Sequence, residues 1–292
     1  MMIKKCFILF FLCSFILSEN INSIFYNANS PRVNSLGGCI FSSNNISDVI
    51  NNPLDLENEI MDKTYFSYYS FLNNSVNIFQ VSYNVSNKKK YALNIGFLGR
   101  LIRNNYNTQY AWLENNDLQY EDIDYSLINN YDDTEVSIVL SIDRKFKNYN
   151  ISAKIKPIIH LINDNKGLGI SSDIYIAKNI DKINLMIALK DFYYKKWDNN
   201  SIEKDSFKVL FSTKYQFENF FIVGNFSEDN NIGIEYELSN DFILRFGYNK
   251  LNKYTYGFGL HKGYLSIDYS YQYLYNFSTV VNQFSLSFKF KS

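Results

Sequence analysis

Residues 264–273 read YLSIDYSYQY. Leu265, Ile267, Tyr269, Tyr271 and Tyr273 fall on one side of an extended chain, and Ser266, Asp268, Ser270 and Gln272 on the other. Successive side chains of a β-strand point in opposite directions, so this segment has one apolar and one wet face. The pattern recurs upstream and downstream. In 150–161, Ile151, Ala153, Ile155, Pro157, Ile159 and Leu161 oppose Lys154, Lys156 and His160. In 232–239, Ile234, Tyr236 and Leu238 oppose Gly233, Glu235 and Glu237. In 280–290, Phe284, Leu286, Phe288 and Phe290 oppose Gln283, Ser285, Ser287 and Lys289.

Extending the reading along the chain predicts fourteen strands, at 63–72, 75–85, 89–101, 133–144, 148–161, 168–177, 181–192, 205–217, 219–227, 229–239, 241–249, 253–261, 263–275 and 279–290. Every second connection is tight (86–88, 145–147, 178–180, 218, 240 and 262), whereas the two long insertions, 102–132 and 193–204, both fall in the other class. Short turns at one end and long loops at the other is the asymmetry of outer-membrane barrels, whose long loops face outward. An even count returns both ends of the barrel to the tight-turn side. The fold class expected is therefore all-β: a transmembrane antiparallel β-barrel closed in lipid, with a short N-terminal plug segment. A soluble β-sandwich or jelly roll would also alternate. It would not need aromatic-rich outward faces on nearly every strand.

Composition points the same way. Aromatic residues make up 18 % of the chain, with 25 Tyr and 25 Phe, which suits the aromatic girdles of a barrel. The mean hydropathy of −0.23 is no obstacle, because half of each strand faces water. The net charge is +0, so no nucleic-acid partner is expected. Residues 1–18 read as a signal peptide, with Lys4 and Lys5 before the apolar run 6–17. Segment 19–62 is read as a periplasmic or plug element and 63–292 as the outer-membrane barrel. Of Cys6, Cys13 and Cys39, only Cys39 lies outside the leader, so it has no partner for a disulfide; it is expected to be a small buried residue.

A charged side chain on the lipid face at mid-bilayer costs about 2–4 kcal/mol. The charged set is therefore assigned to the lumen: Lys154, Lys156, Lys208, Lys214 and Arg245 against Asp173, Glu235, Glu237 and Asp268. Mixed signs suit a salt-bridged, plugged interior better than a selective pore. The segment 29–56 departs from the alternation. It carries Gly37-Gly38, which permits close packing or positive φ, a helical turn at 47–50, and Asn52-Pro53. We read it as a compact element outside the sheet.

In this segment Arg32, Leu36-Gly37-Gly38, Asn44, Val49 and Asn52-Pro53 followed by Leu56 resemble the PorV/PorQ and FadL-like outer-membrane barrels. Their pattern is an Arg, a Leu-x-Gly-Gly-like stretch, a polar pair and Asn-Pro-Ala-x-Leu; Leu54 stands where the small residue is usual. Strands 153–158, 169–173, 244–249, 256–260 and 265–269 resemble the family's inward lysine-proline strand, the Gly-x-x-x-Asp strand after it, and its closing hairpins, with an order closest to PorQ. The resemblance implies an accessory or scaffold role in type IX secretion and surface attachment of cargo, with protein partners of that complex and outer-membrane lipid around the barrel. The FadL-like alternative is a transporter of hydrophobic compounds gated by the plug, and it calls for an apolar pocket near that plug. The luminal faces read here as polar or charged, which ranks it second. Arg32, Leu36, Gly37, Gly38, Asn52 and Pro53 are carried over as plug elements.

No catalytic constellation accompanies these features. His160 and His261 lie on different strands with no metal-ligand spacing. Nothing joins His160 to a serine nucleophile. The stretch 164–167 lacks the downstream Glu of a calcium loop. Gly257-x-Gly259 sits within a strand with no helix after it, and reads as luminal clearance instead of a dinucleotide motif. A non-enzymatic outer-membrane protein without cofactor or metal is expected.

Overall fold

The computed structural model describes residues 24–27, 29–43, 45–56, 64–72, 74–88, 90–107, 124–227, 230–250, 253–275 and 278–288. The leader expected at 1–18, Asn44 and much of the insertion after residue 107 lie outside these.

Fifteen strands form one antiparallel sheet: β1 (Thr64–Phe71), β2 (Val76–Lys88), β3 (Tyr91–Asn107), β4 (Asn129–Phe146), β5 (Tyr149–Ile162), β6 (Asn165–Ile180), β7 (Ile183–Trp197), β8 (Ile202–Asp205), β9 (Lys208–Gln216), β10 (Phe220–Phe226), β11 (Asn231–Ser239), β12 (Phe242–Asn249), β13 (Lys253–Lys262), β14 (Leu265–Leu274) and β15 (Thr279–Phe288). Each pairs with its neighbour, β1 closes onto β15, and β7 pairs with both β6 and β9. The result is a closed barrel of 14 strands plus one extra strand. The extra strand is β8, which folds back onto the far end of β7 (Tyr193↔Asp205, Lys196↔Ile202). The insertion read at 193–204 is thus a β-ribbon, because β7 runs on to Trp197 instead of ending near 192. The other insertion is shortened in the same way: β3 reaches Asn107 and β4 begins at Asn129. The barrel is lopsided in height. Strands β3 to β7 have 14–18 residues, whereas β9 to β15 have 7–10.

The inside–outside alternation follows the sequence. In β5 the odd-numbered residues 149–161 are exposed and the even-numbered residues 150–160 buried. The outward face is an apolar belt, with Ile155 at 53 % and Leu140 at 49 % exposure. A continuous apolar wall of this kind is tolerable only against hydrocarbon. Pro157 sits mid-strand without disrupting the fold. It lacks an N–H, the β4–β5 register is interrupted there, and Ser137 Oγ donates 2.8 Å to its carbonyl.

The segment 29–56 stays out of the barrel sheet; among its described residues the β-bridge Ser43↔Leu54 is internal. It contains a short helix, α1 (Pro31–Ser35), and a 3-10 turn, Ile46–Asp48, in place of the helical turn expected at 47–50. Ser30 caps α1 by accepting from Val33 N at 3.2 Å, and Pro31 occupies the first turn, where a missing N–H is harmless. Gly37 (φ +72) and Gly38 (φ +79) end it in the left-handed region.

Candidate functional site

The segment 29–56 lies buried in the lumen, and hydrogen bonds tie it to β4, β5, β11 and β15 of the wall. At its centre is Arg32 on α1. Its Nε and Nη2 donate to Glu235 at 2.8 and 3.0 Å, and its Nη1 donates to Asp48 at 3.2 Å and to Ser43 Oγ at 2.8 Å. Glu235 also accepts from Arg245 Nε at 2.7 Å, and Arg245 Nη1 donates to Asp268 at 2.6 Å. Five charges, Asp48 and Arg32 of the plug, Glu235 of β11, Arg245 of β12 and Asp268 of β14, thus form an alternating chain in which each guanidinium is shared by two carboxylates. Burial by itself disfavours the charged form of Arg32. Glu235 foremost, then Asp48, more than reverse this and hold its pKa above the ordinary value. The guanidinium also lies 5.2 Å from the Phe41 ring.

A second tie joins the plug to β5 and β6. Lys154 Nζ donates to the carbonyls of Val49 and Asn52, the latter at 2.6 Å. Tyr175 donates to Asn51 O at 2.8 Å and lies equally close to Asp173, which pairs with Lys156. Towards the tight-turn end, Leu54 N donates to Asp143 and Asn150 Nδ2 to Asp55, both at 2.9 Å. On the opposite wall Asn34 Nδ2 donates to Gln283 Oε1 at 2.6 Å, and Gln283 Nε2 to Asn29 O at 2.8 Å.

The wall is cut to fit the plug. Gly233 and Gly247 face each other across β11 and β12. A Cβ on Gly233 would lie 2.6 Å from Leu36 O, and one on Gly247 would strike the Leu36–Gly37 backbone and come 2.6 Å from Thr255 Oγ1. A Cβ on Gly257 would reach 2.6 Å from Ser35 Cβ, so this glycine supplies the luminal clearance expected of it. Beside this window Gly37 N donates to Thr255 Oγ1 at 3.0 Å, and Asn249 Nδ2 donates to Gly37 O at 3.1 Å.

Of the charged residues assigned to the lumen, Lys154, Lys156, Asp173, Glu235, Arg245 and Asp268 are buried there. Glu237 is not: it shares the parity of Glu235, but it is exposed beside the β-bulge between Glu237 and Ser239. Lys214 points at Phe41 and Phe221, 5.3 and 4.9 Å from their ring centres. Among the plug residues Leu36, Gly37, Asn52 and Pro53 are buried, and Arg32 and Gly38 half-buried. Cys39 is buried with Leu36, Phe41, Phe221 and Val223, and burial pushes its thiol pKa up.

The structure corrects one expectation. The lumen is not polar throughout. On the long-loop side of the plug, Tyr69, Val76, Ile78, Leu98, Ile158 and Tyr193 point inward and pack with Ile24 and Phe25 from the N-terminal segment. Phe71, Leu72, Ile102 and Leu274 line its edge. These positions occupy the inward register of their strands, and the inward run Lys154, Lys156, Ile158, His160 already contains one of them. The charged members of each strand drew the reading away from it. In the sequence, Ser30-Pro31 carries the signal of a capped helix start, and Asp48 offers an acidic partner for Arg32. Among the described residues no helix is long and apolar enough to cross a membrane, and no group of three His, Cys, Asp or Glu side chains is placed to hold a metal ion.

No family model matches the chain, and no curated protein does. Solved structures do. The toluene transporter TodX of P. putida superposes with a TM-score of 0.65 at 9 % identity, covering 91 % of this chain and 99 % of that one. The monoaromatic hydrocarbon channel CymD superposes with a TM-score of 0.63 at 10 % identity, covering 91 % and 98 %. At such identities the likeness establishes the fold. A closed barrel with this apolar belt, in the fold of those channels, is a protein of the bacterial outer membrane.

Proposed function

We propose that this chain is a plugged outer-membrane channel for small hydrophobic molecules. The observation that carries the reading is the apolar upper lumen, where Ile78, Leu98, Ile158 and Tyr193 meet Ile24 and Phe25 above the bonded plug. A lumen filled only by salt bridges would need no such packed apolar layer; with Ile24 and Phe25 moved aside, that layer would give a hydrophobic solute somewhere to partition. The two superposed structures are described as a toluene transporter and a monoaromatic hydrocarbon channel, which supports the same substrate class. Passage then requires the plug to shift within the barrel.

The test is uptake of radiolabelled toluene by cells that carry the chain, with a deletion strain and Ile158→Glu for comparison. Uptake should exceed the deletion strain and fall severalfold in Ile158→Glu, which puts a charge in the apolar layer. Uptake no better than in the deletion strain would reverse the proposal.

The resemblance to PorV/PorQ barrels keeps a second reading, an accessory scaffold of type IX secretion. It is favoured by the density of bonds that tie the plug to all sides of the wall. Recovery of secretion or attachment-complex proteins on pull-down from outer membranes, with hydrocarbon uptake unchanged by deletion, would put this reading first.

A further inference from the structure

The outward wall of the barrel is not the same height all round. On β10, β11, β12 and β13 the outward residues run over 220–226, 232–238, 242–248 and 254–260, seven residues each. At about 3.4 Å per residue and a strand tilt of about 40°, such a run covers about 18 Å of height. On the far side of the barrel the outward run of β5 is 149–161, which by the same geometry covers about 34 Å. The apolar band of a membrane barrel is about 25 Å tall, so the β10–β13 wall falls about 7 Å short of it, and β5 has apolar surface to spare. Charged residues close the short runs. Glu218, Lys250 and Lys262 are the next residues of the same parity beyond Phe220, Tyr248 and Leu260, and all three are exposed. A charge on the lipid face is tolerated only near the interfaces, so these residues mark where the polar layers begin.

The residue types on the two walls agree with their heights. Nine of the sixteen outward residues in the four short runs are aromatic, against one of seven on β5. Aromatic side chains belong to the girdles at the two interfaces, aliphatic ones to the band between. At the long-loop end the rings of Tyr248 and Tyr254 lie 5.6 Å apart, and at the tight-turn end those of Phe242 and Phe258 lie 6.2 Å apart. On β12 only Leu244 and Phe246 stand outward between the two pairs, so the girdles almost meet. Beside them Gly224 lacks a side chain to fill the surface, and with Tyr215, Ile222, Phe226 and Ile232 it lines an outward groove of about 480 Å³.

We propose that the β10–β13 wall thins the membrane laid against it and gathers the shortest acyl chains of the surrounding lipid. A bilayer meets a short apolar wall by thinning, and the cost grows with each ångström of mismatch, so short chains are preferred there. A layer thick enough for β5 would bring hydrocarbon to the level of Glu218, Lys250 and Lys262; a short or bent chain stops before them, and the groove at Gly224 receives the bend. The surface is the same whether the barrel passes hydrocarbons or serves as a scaffold.

Tryptophan quenching by brominated lipid tests this wall by wall. The chain has 2 Trp, and Trp112→Phe with Trp197→Phe gives a background for a single reporter. Phe246 on the short wall and Ile155 on the tall one are similarly exposed, at 56 % and 53 %, so Phe246→Trp and Ile155→Trp are matched positions. Each protein is folded into vesicles that mix dilauroyl phosphatidylcholine with brominated dioleoyl phosphatidylcholine, and its quenching is divided by that in the brominated lipid alone. The normalised quenching at 246 should be about half that at 155, because short chains crowd the short wall. Adding Glu218→Leu, Lys250→Leu and Lys262→Leu lengthens three of the runs and should bring the two values together. Equal values in the first comparison, stronger quenching at 246, or a difference that survives the lengthening would overturn the proposal. So would a reporter at 246 that escapes quenching even in brominated lipid alone, since a second copy of the chain would then cover the wall. The comparison of the two reporters decides by itself if the lengthened protein fails to fold. None of these readouts involves transport, so they stand or fall separately from the channel reading.

Discussion

Replacing Glu235 with Leu removes the carboxylate between two buried guanidinium groups. It accepts three charge-assisted bonds, two from Arg32 at 2.8 and 3.0 Å and one from Arg245 at 2.7 Å. At about 1.5–3 kcal/mol each, their loss would approach 9 kcal/mol if nothing compensated. Asp48 keeps hold of Arg32 at 3.2 Å and Asp268 keeps hold of Arg245 at 2.6 Å, so neither cation is wholly abandoned. The expected destabilisation is therefore about 3–5 kcal/mol, the usual result of breaking one side of a buried pair. Urea unfolding of the barrel in phospholipid vesicles, read by heat-modifiable gel mobility, measures it. Because Arg32 belongs to the plug and Glu235 to the wall, combining Glu235→Leu with Arg32→Met should restore part of the loss, with a coupling of about 1–3 kcal/mol. A single-variant effect below about 0.5 kcal/mol, the level of an ordinary surface change, or strictly additive variants, would refute the claim that this ion chain holds the plug to the barrel.

Two further outcomes follow from the packing. Gly247→Val places carbon where the Leu36–Gly37 backbone runs; the barrel should still form, but the plug should be displaced, seen as a rise in ion conductance across planar bilayers, and unchanged conductance would count against the seating described. Cys39, buried among Leu36, Phe41, Phe221 and Val223 with its thiol pKa raised by burial, should resist a maleimide in the folded protein and react fully in denaturant; fast labelling of the native barrel would contradict that environment.

Much of the architecture was legible along the chain because a membrane barrel writes its two solvents into alternate residues. Leu265 to Gln272 states which side meets hydrocarbon, and the turn asymmetry states which end carries the long loops. The strand count followed, since each barrel strand is a local, period-two object. The ribbon β8 was hidden because its four residues pair with an extension of β7 that the sequence does not mark. Glu237 was misplaced because parity says nothing of depth: a residue of inward register at a rim bulge is still in water.

What the sequence by itself determined is the class of each side chain's surroundings, lipid or lumen, because that depends only on alternation along one strand. What the tertiary structure decided is who meets whom inside. Arg32 and Glu235 are 203 residues apart, and Ile24, Ile78, Ile158 and Tyr193 come from the N-terminal segment and three different strands. Their encounter depends on barrel closure and on how the plug is threaded through it, and neither a bonded ion chain nor a packed apolar layer exists until those distant strands are brought around one axis.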